Sequence, residues 1–227
     1  LGLVGSEMCI RDSFMGKGNG RAGMSKAVEL FCLGIAREAG VKASNQPFHL
    51  FSKYIDQRRR AEYESVALLQ SRGMHFQQSG NNCGAVVVDL YLQGVSDPND
   101  EDVVQDRCYD VKTVGQRKDM YPLSAHERAA DKIEDVRAEY DRKARSADAR
   151  WNGCHVNAGK SQAFPPGPVQ QAVRALEPPI QGCGVGAFGE IGKALSEYVT
   201  LIAAHAARKR DATVQGGTAY YRRFGLC

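Results

Sequence analysis

Residues 85–92, AVVVDLYL, constrain this chain more than any other stretch. β-Branched and aromatic residues crowd the run, and Gly84 and Gly94 bound it, a pattern that predicts a buried strand. One residue is out of place. Asp89 follows four apolar residues and precedes three that are mostly apolar. Burying an unpaired carboxylate is costly, so Asp89 needs a partner, a cation or a strand end. The turn-rich acidic segment VSDPNDED comes next. The segment VVQDRCYDVKTV then predicts a second strand over about 107–114. Within it Asp110 and Lys112 stand two apart, so both project from one face. If the two strands pair as a hairpin, Asp89 lies beside Asp110.

Two carboxylates at one end of a sheet make a hard oxygen site suited to Mg²⁺ or Mn²⁺. A neighbouring lysine can orient or help deprotonate an attacking water, or offset charge on a phosphorane-like transition state. The like charges of Asp89 and Asp110 repel, and the cation together with Lys112 would offset that cost. A plainer reading stays open: aspartate and lysine in strands are ordinarily strand-end charges, paired or solvated.

The rest of the chain reads as mixed α/β. A glycine-rich stretch, 14–24, precedes a helix at about 26–39 that Ser25 would cap and Gly40 would end. A second helix is expected at about 57–72, capped by Asp56, with Glu62, Val66 and Leu69 near one stripe. MHFQQS suggests a short strand. Ser124 and Glu127 match a capping box ahead of a long charged helix, roughly 125–147. A short helix over 168–176, a small-residue strand at 182–189 and a final helix at about 190–209 complete the chain. Helices on both sides of a small mixed sheet are the natural packing, with core order α-β-β-β-α-β and a further C-terminal helix.

The pattern resembles the PD-(D/E)xK nuclease superfamily, particularly its RecB-like branch. In that branch a first Asp precedes a strand reading Asp-x-Lys-Thr; here these are Asp89 and Asp110-Val111-Lys112-Thr113, and the likeness spans about residues 56–190. It implies a Mg²⁺ (or Mn²⁺) site on Asp89 and Asp110, with Lys112 catalytic. An acid from the first core helix joins them, Glu62 being the candidate and Glu64 the second choice. No proline precedes Asp89, and no Gln-x-x-x-Tyr pattern follows Lys112, because Gln116 and Tyr140 lack that spacing. CYDVKTV, the charged helix and GAFGE are also similar to domains encoded beside reverse transcriptases in protist retroelements. The implied activity is phosphodiester hydrolysis of nucleic acid. The alternative is a non-catalytic module of the same fold that binds nucleic acid or protein.

Residues 1–13, LGLVGSEMCIRDS, resemble a translated sequencing adaptor and are set apart, so the chain is expected to be a fragment. The expected organisation is then a flexible segment plus helix over 14–45 and a nuclease-like domain over 46–227. The formal charge is +4, and without Arg11, Glu7 and Asp12 it becomes +5 (one positive and two negative charges fewer). That mild excess suits a nucleic-acid partner. Arg58-Arg59-Arg60, Arg208-Lys209-Arg210 and Arg222-Arg223 would add salt-sensitive phosphate contacts or lie as solvated helix surface. The longest apolar stretch, 198–207, contains His205 and is too short to span a membrane. Seven cysteines are scattered without any C-x-x-C, which argues against a zinc ribbon or a disulfide framework. An intracellular setting is expected over a secreted one, and the oligomeric state stays open. Gly184 to Gly189 fits G-x-G-x-x-G, but too little chain follows for a dinucleotide fold. The loop of Asp97, Asn99 and Glu101 lacks the glycine and terminal glutamate of a calcium loop.

Overall fold

The computed structural model describes residues 20–72, 84–97, 102–113, 136–154, 165–186 and 189–213. The expected strand MHFQQS, the capping box of Ser124 and Glu127, and Arg222-Arg223 lie outside them. The elements are α1 (Gly20–Glu38), β1 (Lys42–Asn45), α2 (Arg60–Ser71), β2 (Leu90–Ser96), β3 (Val104–Thr113), α3 (Arg137–Trp151), α4 (Pro168–Arg174), β4 (Gln181–Val185) and α5 (Lys193–Thr213). A 3₁₀ turn, Ser52–Tyr54, precedes α2.

The strands form one mixed sheet in the order β1-β2-β3-β4. β1 with β2 and β2 with β3 are antiparallel, and β3 with β4 is parallel. Helices flank this sheet, so the fold is α/β; the described elements run α1-β1-α2-β2-β3-α3-α4-β4-α5, and the expected order α-β-β-β-α-β appears only with β1 in place of MHFQQS and with α2 and α4 as insertions. Both α1 and β1 precede residue 46, yet β1 is hydrogen-bonded into the sheet and α1 packs on it.

Period-2 alternation sorts the strand residues to two faces. One face carries Leu90, Leu92, Tyr109, Val111, Cys183 and Val185, covered by Cys32, Leu33 and Ala36 of α1 and by Tyr198, Leu201 and Ile202 of α5. Tyr109 meets Tyr198 edge to face, with ring centroids 4.9 Å apart, the arrangement the ring quadrupoles favour. The other face carries Cys108 and packs against Tyr63 and Ala67 of α2, Tyr140, Ala144, Ala147 and Trp151 of α3, and Val169 and Val173 of α4. Among the described residues no helix is long and apolar enough to cross a membrane.

The strand expected over 85–92 begins five residues later. Residues 85–88 are buried but outside the ladder, and side chains meet some of the backbone groups along this stretch. The Tyr63 hydroxyl donates to Val86 O and accepts from Val86 N, both at 3.3 Å. The Tyr140 hydroxyl lies 3.1 Å from Val87 O, and Trp151 Nε1 donates to Gly84 O at 2.7 Å. An apolar run therefore becomes a core spine threaded between α2 and α3, and pairing starts only after Asp89.

Candidate active site

The hairpin register brings the two aspartates together. Leu90 pairs with Tyr109, and Asp89 N donates to Tyr109 O at 3.0 Å. Continuing that register one step sets Asp89 opposite Asp110, on the face shared by Tyr91 and Cys108. Lys112 shares the face, two residues on. On the other side of β3 the register partners of Asp110 and Lys112 are Gly182 and Gly184, so β4 places no side chain beside either.

Asp110 is buried, at 5% exposure, while Asp89 and Lys112 are half-buried, so the group opens to solvent on one side. Asp110 Oδ1 lies 2.7 Å from the Tyr140 hydroxyl. That hydroxyl has one hydrogen and two acceptors, Asp110 and Val87 O. The charged acceptor is nearer and takes it when Asp110 is ionised. Asp110 Oδ2 has no well-aimed hydrogen-bond donor, although Lys112 Nζ stands 2.6 Å from it. Asp89 Oδ2 accepts from Val111 N at 2.7 Å, and Gln46 Nε2 is 3.5 Å from Asp89 Oδ1.

These surroundings set the charge states. Burial pushes the Asp89 carboxyl up to about 7, the negative charge of Asp110 pushes in the same direction, Glu29 adds to it, and Val111 N–H and Lys112 oppose it. For Lys112, burial alone would favour the neutral amine; Asp110 and Glu139 more than offset that and hold it above its ordinary value. Glu139, on α3, is the second anchor of Lys112, with Oε2 3.0 Å from Nζ, and it also pairs with Lys143 at 2.7 Å. Burial opposes ionisation of Glu139, and the two lysines overcome it and lower its pKa.

Asp89, Asp110 and Lys112 are thus brought together as expected from the sequence. Glu62 is not with them: it lies exposed in the first turn of α2, and no interaction joins it to the three. Glu64 is half-buried on the same helix and acts on Tyr63. The helical acid beside Asp89 is Glu29 of α1, only 3% exposed. Lys26 Nζ holds Glu29 Oε1 at 3.0 Å, Asn45 Nδ2 donates to the same oxygen, and Gln46 Nε2 lies 3.5 Å from Oε2. The Gln46 amide thus stands between Glu29 and Asp89. Gln46 also has φ of 46°, a left-handed backbone that costs a residue with a Cβ about 1 kcal/mol. Its N–H donates to Asp89 O at 2.8 Å, which pins the turn into the site.

Two residues escaped sequence reasoning, and both left a trace. Glu29 precedes the buried Cys32, Leu33 and Ala36 by three, four and seven positions, so it is an acid on the apolar stripe of its own helix. Tyr140 lacks the expected spacing yet supplies the hydroxyl at Asp110.

The donor set fits a divalent cation: two oxygen-rich carboxylates face one another, and a buried oxygen lacks an aimed donor. Among the described residues no group of three or more His, Cys, Asp or Glu side chains converges. A hollow of about 540 Å³ lies between α3 and α4, bounded by Arg137, Asp141, Arg174 and Ile180; of the site residues it touches only Tyr140. No protein-family model, curated protein or solved structure matches the chain.

Proposed function

We propose that this domain hydrolyses phosphodiester bonds of nucleic acid with the help of Mg²⁺ or Mn²⁺, in the manner of PD-(D/E)xK nucleases. The observation that carries the reading is the pairing of Asp89 with Asp110 across the hairpin, with Lys112 Nζ 2.6 Å from Asp110 Oδ2. Asp89 and Asp110 would hold the cation, which would supply a Lewis acid at the scissile phosphate. Two like charges brought together from water are otherwise an unfavourable arrangement.

Of the two roles open to Lys112, charge stabilisation fits its surroundings. Two carboxylates keep it an ammonium, so it offsets negative charge growing on the phosphate and does not take a proton. Glu139 fixes the direction of Nζ from the helix side. Glu29 replaces Glu62 as the acid from a core helix, and it acts on Asp89 through Gln46 and by its field. Tyr140 holds Asp110 in one rotamer.

The test is cleavage of plasmid and single-stranded DNA in Mg²⁺, Mn²⁺ and EDTA by the wild type, Asp110→Ala and Lys112→Ala. Cleavage in either metal, lost in EDTA and in both variants while their circular dichroism stays native, is expected. A wild type that binds but never cleaves would favour the non-catalytic module. Equal cleavage by all three proteins would remove these residues from the chemistry.

A further inference from the structure

The candidate site gives a place for chemistry but names no path for the polymer. α3 supplies one. Successive residues turn by about 100°, so Glu139, Lys143, Ser146 and Arg150 recur at intervals of four, three and four and line a single flank. The core side of the same helix is Tyr140, Ala144, Ala147 and Trp151. The α4 side carries Asp141, which takes Arg174 Nε at 2.6 Å, and the buried Asp148. The flank that carries Lys143 and Arg150 therefore faces away from α4. Its first turn touches the site directly, because Glu139 holds Lys112.

At its far end this flank meets a second basic group. Arg59 Nη1 donates to Arg150 O. Asp56 N donates to Asn152 Oδ1 at 2.8 Å, and Asn152 Nδ2 donates to Tyr54 O at 3.1 Å. These bonds staple the turn before α2 to the end of α3, which sets Arg58 and Arg59, both exposed, beside Arg150. Arg150 stands over the Trp151 ring, 4.6 Å from its centroid, so its stem is held in place by packing. Near the site Lys143 pairs with Glu139. Toward the far end of the flank Arg150, Arg59 and Arg58 follow one another, and Asp56 Oδ1 there accepts from Arg58 N.

We infer that the α3 flank from Lys143 through Arg150 to Arg58 and Arg59 is a track for the sugar–phosphate backbone of the nucleic acid whose scissile bond lies at Asp89 and Asp110. The direction of the track rests on the proposed function; its affinity for a polynucleotide does not. From Lys143 to Arg150 the helix rises about 10 Å, at about 1.5 Å per residue. A strand advancing about 3.4 Å per phosphate would pass about three phosphates over that length. The binding is electrostatic and indifferent to sequence, since every group on the track is suited to phosphate and none is placed to read a base.

The experiment measures binding of a fluorescent single-stranded 20-mer in EDTA, at several salt concentrations, so that cleavage plays no part. The proteins are the wild type, the triple variant Arg58→Gln/Lys143→Gln/Arg150→Gln, and the control Arg142→Gln/Arg145→Gln. The control removes charge from the same helix on its outward side. Arg58→Gln alone is included because Arg58 is exposed and its loss leaves the Trp151 contact intact. The triple variant is expected to weaken binding at least tenfold. It should also flatten the slope of log affinity against log salt by about 2, at about 0.7 per lost phosphate contact. The control should change the slope by less than half of that, and Arg58→Gln should account for about a third of the triple effect. A control that weakens binding as much as the triple variant, or a triple variant that binds like wild type, overturns the track. Normal binding with no cleavage in metal would sink the hydrolase and leave the track standing.

Discussion

Asp148 and the Asp89–Asp110 pair both border α3, and they are built to opposite standards. Asp148 is 1% exposed, and its oxygens accept from Val169 N at 3.0 Å, Gln170 N at 2.9 Å and Asn152 Nδ2 at 2.7 Å. It caps α4 from a neighbouring helix, doing for Pro168–Arg174 what an N-cap side chain would do, where Gly167 offers none. A Cβ on Gly167 would sit 2.3 Å from the Asp148 carboxyl carbon, so the glycine makes room for that contact. Asp89 and Asp110 have the reverse arrangement: two acids face each other, with one backbone N–H, the long contact from Gln46 Nε2, one tyrosine and one lysine between them. A fold needs acids of the first kind. Lys112 offsets part of the repulsion in the second kind and a divalent cation would offset more, which is the physical basis for the proposed reading of the pair.

The comparison breaks most sharply on exchange of an acid for its amide. Asp110→Asn and Asp89→Asn are each expected to lower metal-dependent cleavage by at least about 10³-fold, the scale of losing a main charge stabiliser. The urea midpoint of Asp89→Asn should stay level or rise, since one of two like charges has gone. Asp148→Ala should do the opposite. It leaves two helix N–H groups and Asn152 without their acceptor and is expected to cost about 3 kcal/mol in urea unfolding. Whatever protein stays folded should cleave normally per molecule.

Glu29 and Glu62 sharpen the picture at smaller scale. Glu29→Gln is expected to reduce cleavage about 10- to 100-fold, as loss of a supporting carboxylate does at metal sites. Glu62→Gln should leave both cleavage and stability unchanged, because its side chain is solvated. Steady-state cleavage rates for the two variants decide between them.

A further effect concerns pH. The Asp89 carboxyl rises to about 7 in the folded protein, against about 3.9 when unfolded. Between those values the folded state keeps a proton that the unfolded chain has released, so the metal-free protein loses stability as pH rises from about 4 to about 7. The thermal midpoint of the wild type in EDTA should fall across that window. Asp89→Asn should fall less.

Much of this architecture was legible from residue type alone. Asp110-Val111-Lys112 sits in β3 because β-branched and aromatic neighbours hold it there, and the one-face rule for alternate residues was sufficient to unite acid and amine. β1 was not legible: KASN is four polar or small residues with no strand signal, and it is a strand only because β2 offers an edge. That omission displaced the acid. With β1 unseen, α2 stands as the first core helix, which points to Glu62; with β1 in the sheet, α1 covers the opposite face, and Glu29 reaches toward Asp89 round the strand end through Gln46. Residues 85–88 misled for a related reason. Their composition is that of a strand, but the Tyr63 hydroxyl takes Val86 N and O, and Trp151 Nε1 takes Gly84 O just before the run.

The most direct test of the acid pair as a cation site is the thermal midpoint at pH 8 as Mg²⁺ or Mn²⁺ is added, with no nucleic acid present. A wild type stabilised by several degrees in a saturable manner, with Asp89→Asn and Asp110→Asn unresponsive, is the predicted result. A wild type and variants that respond alike, or a wild type that ignores both metals, would contradict it.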